Sequence, residues 1–366
     1  MAVTLFTPLE VGGITLPNRI VISPMCQYSA DDGSMTDWHF VHLGHLAYSG
    51  AGLMMLEATH VTREGRITHA CSGLYSDQNE AALARVIANC RRLTRNPIGI
   101  QIGHAGRKAS SQLPWQGRMW LHPDQSPWQT VAPSPIPFGE GWHTPKELTV
   151  AEIKGLVDAF ASSAERAKRI GFEALELHSA HGYLLHEFLS PLSNQRGDGY
   201  GRNRMQFPLE VARAVREVWP RERALGARIS AHDWAEGGLG PDDAVAYARE
   251  LERAGIDYVC VSSGAMVSHT PINVAPGYQV PFAEQVKKST NLKVQAVGMI
   301  ADPDQAQDII TSGKADMVVM ARAFLDNPRW VWHAAERFGV QLEYPPQYAR
   351  SRHDQWPGAA LARKHS

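Results

Sequence analysis

Cysteine is scarce in this chain: four among 366 residues, Cys26, Cys71, Cys90 and Cys260, scattered and with no C-x-x-C pair. That spacing argues against a structural zinc site and against a cysteine-bound iron–sulfur cluster. An excess of charge of either sign is missing as well. The net charge is −1, which gives no electrostatic case for nucleic acid or for an acidic membrane surface. No segment approaches the roughly 18 uninterrupted apolar residues of a membrane span. The opening Met1-Ala2-Val3-Thr4-Leu5-Phe6 lacks the basic start and long apolar run of a signal peptide. The expectation is a soluble cytoplasmic protein that binds neither nucleic acid nor membrane. Two motifs are absent too. Where a doubly wound sheet would carry G-x-G-x-x-G after its first strand, this chain reads Ser23-Pro24-Met25-Cys26. The same tetrapeptide cannot supply the H-x-H that metal-dependent barrel hydrolases place there, despite 16 histidines in the chain.

What is present is a rhythm. Eight short apolar segments recur at Arg19–Ser23, Leu53–Ala58, Ile98–His104, Ala174–His178, Ala227–His232, Tyr258–Ser263, Val294–Ile300 and Met317–Ala321. Helix-like windows lie between them, at Ala81–Leu93, Val150–Arg169, Pro208–Val218, Asp242–Arg253, Pro303–Thr311 and Pro328–Phe338. Strand–helix alternation repeated eight times predicts an α/β fold, a single parallel (β/α)8 TIM barrel. Gly12-Gly13, inside Leu9–Pro17, predicts a short N-terminal β-hairpin cap at the barrel's bottom. Two long loops, Arg107–Glu147 and Ser262–Gln279, are expected to overhang the C-terminal face, where barrel enzymes keep their chemistry. Residues 1–340 read as the barrel domain and 341–366 as a C-terminal tail.

Alternation along the strands picks out unusual interior residues. Ile98, Ile100 and Ile102 alternate with Gly99, Gln101 and Gly103, so the isoleucines should face the helices and the glutamine the barrel interior. A buried amide needs a partner, and the two glycines would leave room for a flat one. Arg228, Ser230 and His232 share a face opposite Ala227, Ile229 and Ala231. An inward arginine requires either an anion or an internal carboxylate. The segment Glu176-Leu177-His178-Ser179-Ala180-His181-Gly182-Tyr183 places two imidazoles and a phenol within six residues. It reads either as core packing or as a site that grips an electron-rich oxygen and delivers a proton. His39, His42 and His45 form a second group, for which hydrogen-bonded helix packing is favoured over a metal; no metal is expected.

Taken together the chain resembles the old yellow enzyme family of FMN-dependent ene-reductases, in its bacterial thermophilic-like subclass. The markers run in order along nearly the whole chain: Asn18-Arg19-Ile20, Ser23-Pro24-Met25-Cys26-Gln27-Tyr28, Glu57-Ala58-Thr59, Gln101 to Lys108, His178 to Leu184, Pro276 to Pro281 and Ala296-Val297-Gly298. The resemblance implies non-covalently bound FMN, with Ser23, Pro24, Met25, Cys26, Ala58, Gln101 and Arg228 around the ring. Gly298, Ala321 and Arg322 would take its phosphate through backbone N–H groups and a cation. Cys26, read otherwise as a small buried hydrophobe, would tune the flavin by a weak sulfur contact. His178 and His181 would hold the carbonyl oxygen of an α,β-unsaturated substrate, Tyr183 would protonate its α carbon, and Tyr28 would line the pocket. NADPH or NADH would be the reductant in a ping-pong cycle. Arg350, in Gln347-Tyr348-Ala349-Arg350, would reach a neighbouring subunit's site, which implies a homodimer or homotetramer. The chain departs from the family in a shorter stretch at Tyr200–Arg204, and in carrying Ala321 where many relatives have glycine.

Overall fold

A computed structural model describes residues 4–269 and 272–362, leaving Thr270 and Pro271 of the second long loop and the end of the tail outside the described residues. Twelve strands form in chain order: β1 (Leu9–Val11), β2 (Ile14–Leu16), β3 (Ile20–Ile22), β4 (Leu53–His60), β5 (Ile98–Gly103), β6 (Val131–Ala132), β7 (Lys146–Glu147), β8 (Ala174–Ser179), β9 (Ala224–Ser230), β10 (Tyr258–Ser262), β11 (Lys293–Val297) and β12 (Met317–Met320). Strands β3, β4, β5, β8, β9, β10, β11 and β12 pair in that order, all parallel, into a closed barrel. The predicted (β/α)8 architecture is therefore the observed one, and β1–β2 is the predicted antiparallel hairpin.

The connecting helices include α1 (Asp37–Ala47), α2 (Asp77–Leu93), α3 (Val150–Ile170), α4 (Leu184–Leu189), α5 (Gly199–Arg202), α6 (Gln206–Val218), α7 (Pro241–Arg253), α8 (Val280–Ser289), α9 (Pro303–Thr311), α10 (Arg322–Asp326) and α11 (Trp330–Arg337). Local chemistry sets their ends. Helix α2 starts four residues before the predicted window because the Ser76 side chain accepts from the Asn79 amide. Thr149 and Glu152 cap α3 reciprocally, and Gly171, at φ +96°, ends it. Strand β11 stops at Val297, short of the expected Ile300, since Gly298 (φ +123°) and Met299 (φ +47°) turn left-handed. Of the short Tyr200–Arg204 stretch, the part up to Arg202 lies in α5, capped by Asp198.

Two apolar layers hold the barrel. Outside, Ile98, Ile100 and Ile102 join the helices in one large core, as the alternation requires. Inside, the strand starts contribute Val21, Leu53, Met55, Ala174, Ala224, Tyr258 and Met317, which pack on Leu9, Val11 and Leu16 of the hairpin and seal the bottom. Large and small residues interlock there: a Cβ on Gly226 would lie 2.1 Å from the Tyr258 ring, and one on Gly99 2.2 Å from Met55 Sδ. The room expected over the β5 glycines is thus filled by protein. Met55 takes it at Gly99, and the His178 Cβ stands 3.0 Å from where a Gly103 Cβ would be.

The mouth loops are tied down by buried polar groups. Arg107 donates to the carbonyls of Ile136 (3.2 Å) and Met266 (2.7 Å), linking both long loops, while its amide donates to Glu187 Oε1 at 2.9 Å. Burial pushes the Glu187 carboxyl up from 4.5 to about 8 against the opposing pull of Arg107. Next to it, His186 Nδ1 accepts from the Gly182 amide (2.9 Å) and its Nε2 faces Asp233 Oδ1 (3.0 Å).

Two outcomes are expected. Gly226→Ala forces a methyl into the Tyr258 ring and should cost about 1–3 kcal/mol in chemical denaturation; an unchanged midpoint would contradict the packing. Between pH 4.5 and 8 the folded chain holds a proton on Glu187 that the unfolded chain has lost, so folded-state stability falls as pH rises through that window. Glu187→Gln removes this dependence. Its stability relative to wild type should rise from pH 5 to pH 8, and parallel curves would refute the assignment.

Candidate active site at the barrel mouth

Strand β8 delivers His178 to the mouth, after which the chain turns sharply through His181 (φ +59°) and Gly182 (φ +68°). Glycine is needed at 182, where a Cβ would lie 2.3 Å from the Ala265 carbonyl oxygen. The turn brings three rings together: His178 stands edge-on to His181 (centroids 5.3 Å, 81°) and to Tyr183 (4.8 Å, 90°). His181 is anchored by its amide on Ser230 Oγ (3.0 Å) and by Nε2 against Ser262 Oγ (2.8 Å). His178 Nδ1 is buried with no hydrogen-bond partner among the described residues. Burial first, then the nearby Arg228 charge, holds both imidazoles well below their ordinary value, so they are neutral N–H donors. Burial holds the Tyr183 phenol well above 10, and it keeps its proton.

Beneath these rings lies a polar interior layer. Arg228 Nη1 donates to Ser23 Oγ at 3.1 Å, and its buried Nε has no partner among the described residues. Gln101 donates through Nε2 to Glu176 Oε1 at 2.8 Å, which leaves one N–H and the carbonyl oxygen of its amide. Burial lifts Glu176 from 4.5 to about 7, opposed by Arg228. Glu176 and Arg228 make no ion-pair contact, so the two readings of the inward arginine resolve toward one that still needs an acceptor. A β-bulge between Leu56 and Ala58 brings Ala58 into register with Gln101, on the interior side. Glu57, displaced by the bulge, accepts from the Gln27 amide (3.0 Å), and its Oε1 lies 3.1 Å from His39 Nε2. That clamp fixes the half-buried run Pro24, Met25, Cys26, and it accounts for His39 as a structural imidazole. Among the described residues no group of three His, Cys, Asp or Glu side chains is placed to hold a metal ion. Burial, then Cys71 and Glu57, pushes the Cys26 thiol well up, so it stays protonated.

On the rim, a Cβ at left-handed Gly298 would lie 2.8 Å from Gln279 Nε2. Ala321 follows β12 with φ −108°, which is not the left-handed region that favours glycine, so no glycine is required there. Arg322 beside it is exposed. Tyr28 (φ +50°) and Tyr183 line a cavity of about 400 Å³ under the first long loop. Arg350 sits apart from these groups within its own chain. It is exposed on the 3₁₀ turn Pro346–Ser351, whose Tyr348 packs on Tyr48 (hydroxyls 3.2 Å apart).

Three residues of the site escaped the sequence reading. Glu176 was visible as an inward position two before His178. Lys108, whose ammonium donates to the carbonyls of His181 (2.8 Å) and Ala265 (3.0 Å), entered only as the last residue of the marker Gln101 to Lys108. Ser262, at the end of β10, carried no signal beyond its place.

The layer suits a planar group with developing negative charge: a partnerless guanidinium N–H on one side, a half-used amide and small Ala58 on another, and neutral imidazoles above. Comparison with known proteins agrees. The model of the NADH:flavin oxidoreductase / NADH oxidase family matches residues 4–340. An NADPH dehydrogenase of Geobacillus thermodenitrificans is 44% identical over 96% of this chain and 99% of its own. That of Bacillus subtilis is 40% identical over 96% and 99%. Morphinone reductase, solved in complex with tetrahydroNAD, superposes with a TM-score of 0.75 at 29% identity, covering 94% of this chain and 93% of its own. No helix among the described residues is long and apolar enough to cross a membrane. The chain belongs to the NADH:flavin oxidoreductase family of FMN-dependent enzymes, the family of old yellow enzyme.

Proposed function

We propose that the chain is an NAD(P)H-dependent ene-reductase that reduces α,β-unsaturated carbonyl compounds. The observation that carries the reading is the juxtaposition of the unpartnered His178 ring with the Tyr183 phenol above the Arg228 layer. Flavin binding alone requires neither the two imidazoles nor the phenol. When bound, FMN would supply hydride chemistry, with NADPH or NADH as the reductant and the alkene's β carbon as the acceptor. Arg228, Gln101 and Ser23 hold the ring's polar edge, with Pro24, Met25, Cys26 and Ala58 packing its flanks. Gly298 and the Ala321-Arg322 pair take the phosphate.

His178 and His181, both neutral, donate to the substrate carbonyl and stabilise the charge that moves onto its oxygen. Tyr183 holds its proton through burial and gives it to the α carbon. A phenol is a weak acid toward water but sufficient toward an enolate. Tyr28 closes one wall of the substrate cavity. Arg350, free on the surface, serves a neighbouring copy's mouth, which makes a homodimer or homotetramer the working form.

The test separates half-reactions. Under anaerobic conditions NADPH should bleach the flavin of Tyr183→Phe, while reoxidation by cyclohexenone should slow on the order of 10²-fold or more. Reoxidation at the wild-type rate would overturn the proton-donor role.

A further inference from the structure

The cavity beside Tyr183 is more selective than enone reduction requires. Of the side chains that line it, two are cationic, Lys108 and Arg118, and none is a carboxylate. Arg118, exposed at the cavity's rim on the turn after Gly117, makes no hydrogen bond or ion pair among the described residues and is held at φ +61°, a left-handed conformation unusual for arginine. Strain kept at a cavity wall is a pointer to function. Its charge is felt by both phenols of the site, Tyr28 and Tyr183. Lys108 spends two of its three N–H donors on the His181 and Ala265 carbonyls, and its ammonium lies 5.0 Å from the Tyr183 ring centroid. The carboxylate nearest in influence, Glu187, is already engaged by the Arg107 amide. Burial draws Lys108 down to about 7, so an anion beside it would restore full charge. The rest of the wall mixes the polar side chains of Thr68, Ser111, Gln112 and Ser268 with an apolar and aromatic part. Ile67, Phe138 and Trp142 line it, and Trp115, 67% exposed, stands edge-on to Tyr28 at 6.2 Å.

Resting on the ene-reductase reading above, we propose that the alkene this site selects carries a carboxylate at the end of an aromatic or apolar body, gripped by Arg118 with support from Lys108. The His178–His181 pair takes the carbonyl end, the aromatic wall takes the body, and the cations take the far end. A volume of about 400 Å³ accommodates one small molecule of this shape. Arginine suits the task because its planar fork meets a carboxylate with two parallel hydrogen bonds. The nicotinamide coenzyme also carries oxyanions, its phosphates, so the test must tell the two sources apart.

The FMN-loaded enzyme is assayed with 4-carboxycinnamaldehyde and its methyl ester. Binding is read independently, through the flavin absorbance spectrum, with the non-reducible 4-carboxybenzaldehyde and its methyl ester. The acid should be preferred at least tenfold over the ester in both kcat/KM and Kd. Arg118→Gln should bring both ratios close to one, and Arg118→Lys should restore part of the preference. Equal handling of acid and ester by wild type, or a preference that survives Arg118→Gln, overturns the proposal. So does a tenfold rise in the KM for NADPH in Arg118→Gln with the acid/ester ratio intact, since the cation would then serve the coenzyme's phosphates. If neither cinnamaldehyde is reduced while the binding preference holds, the ene-reductase reading fails and the anion site stands.

Discussion

A guanidinium inside a barrel is the constraint around which this mouth is organised. Arg228 carries a guanidinium and is only 9% exposed. One hydrogen bond, to Ser23, does not satisfy five N–H donors. The surroundings decline to neutralise it: Glu176 feels the Arg228 charge but does not pair with it, and is drawn toward neutrality by its own burial. Burial, reinforced by the same positive field, keeps His178 and His181 neutral. A family whose cofactor gains negative charge on reduction has use for such a group, because a cation fixed in a low-dielectric site favours the reduced state.

The rest of the structure keeps that layer in place. The apolar plug of hairpin and strand starts closes the bottom, so the polar layer opens only toward the mouth. The β4 bulge gives the place opposite Gln101 to Ala58 instead of Glu57, and sets the Glu57 carboxylate against Gln27 and His39. Arg107 joins the two long loops, and Lys108 beside it pins the His181 turn. Each element spends a buried polar group to hold the geometry of another.

Much of this was legible in the sequence, for a physical reason. Parallel strands buried on both faces leave short apolar runs, and where a run contains Gln101 or Arg228 the alternation says which way it points. The Gly12-Gly13 hairpin was equally readable, since Gly12 takes a left-handed conformation few residues adopt. What stayed hidden depends on contacts between distant segments. Nothing in Leu56-Glu57-Ala58 announces a bulge, because the extra residue is defined only against β5. The Gln101–Glu176 bond joins residues 75 apart. Composition misled once: the β5 glycines looked like space for a ligand, and Met55 and the His178 backbone-proximal atoms occupy it. Strand β11 was drawn too long because left-handed Met299 gives no warning in its side chain.

The account turns on Arg228 acting as the charge that answers the flavin. The most direct measurement is the two-electron midpoint potential of the bound flavin in wild type and in Arg228→Met, taken where both retain FMN. A fall of at least ~30 mV, equivalent to about 1.4 kcal/mol, is expected when the cation is removed. A potential that does not move would contradict the account.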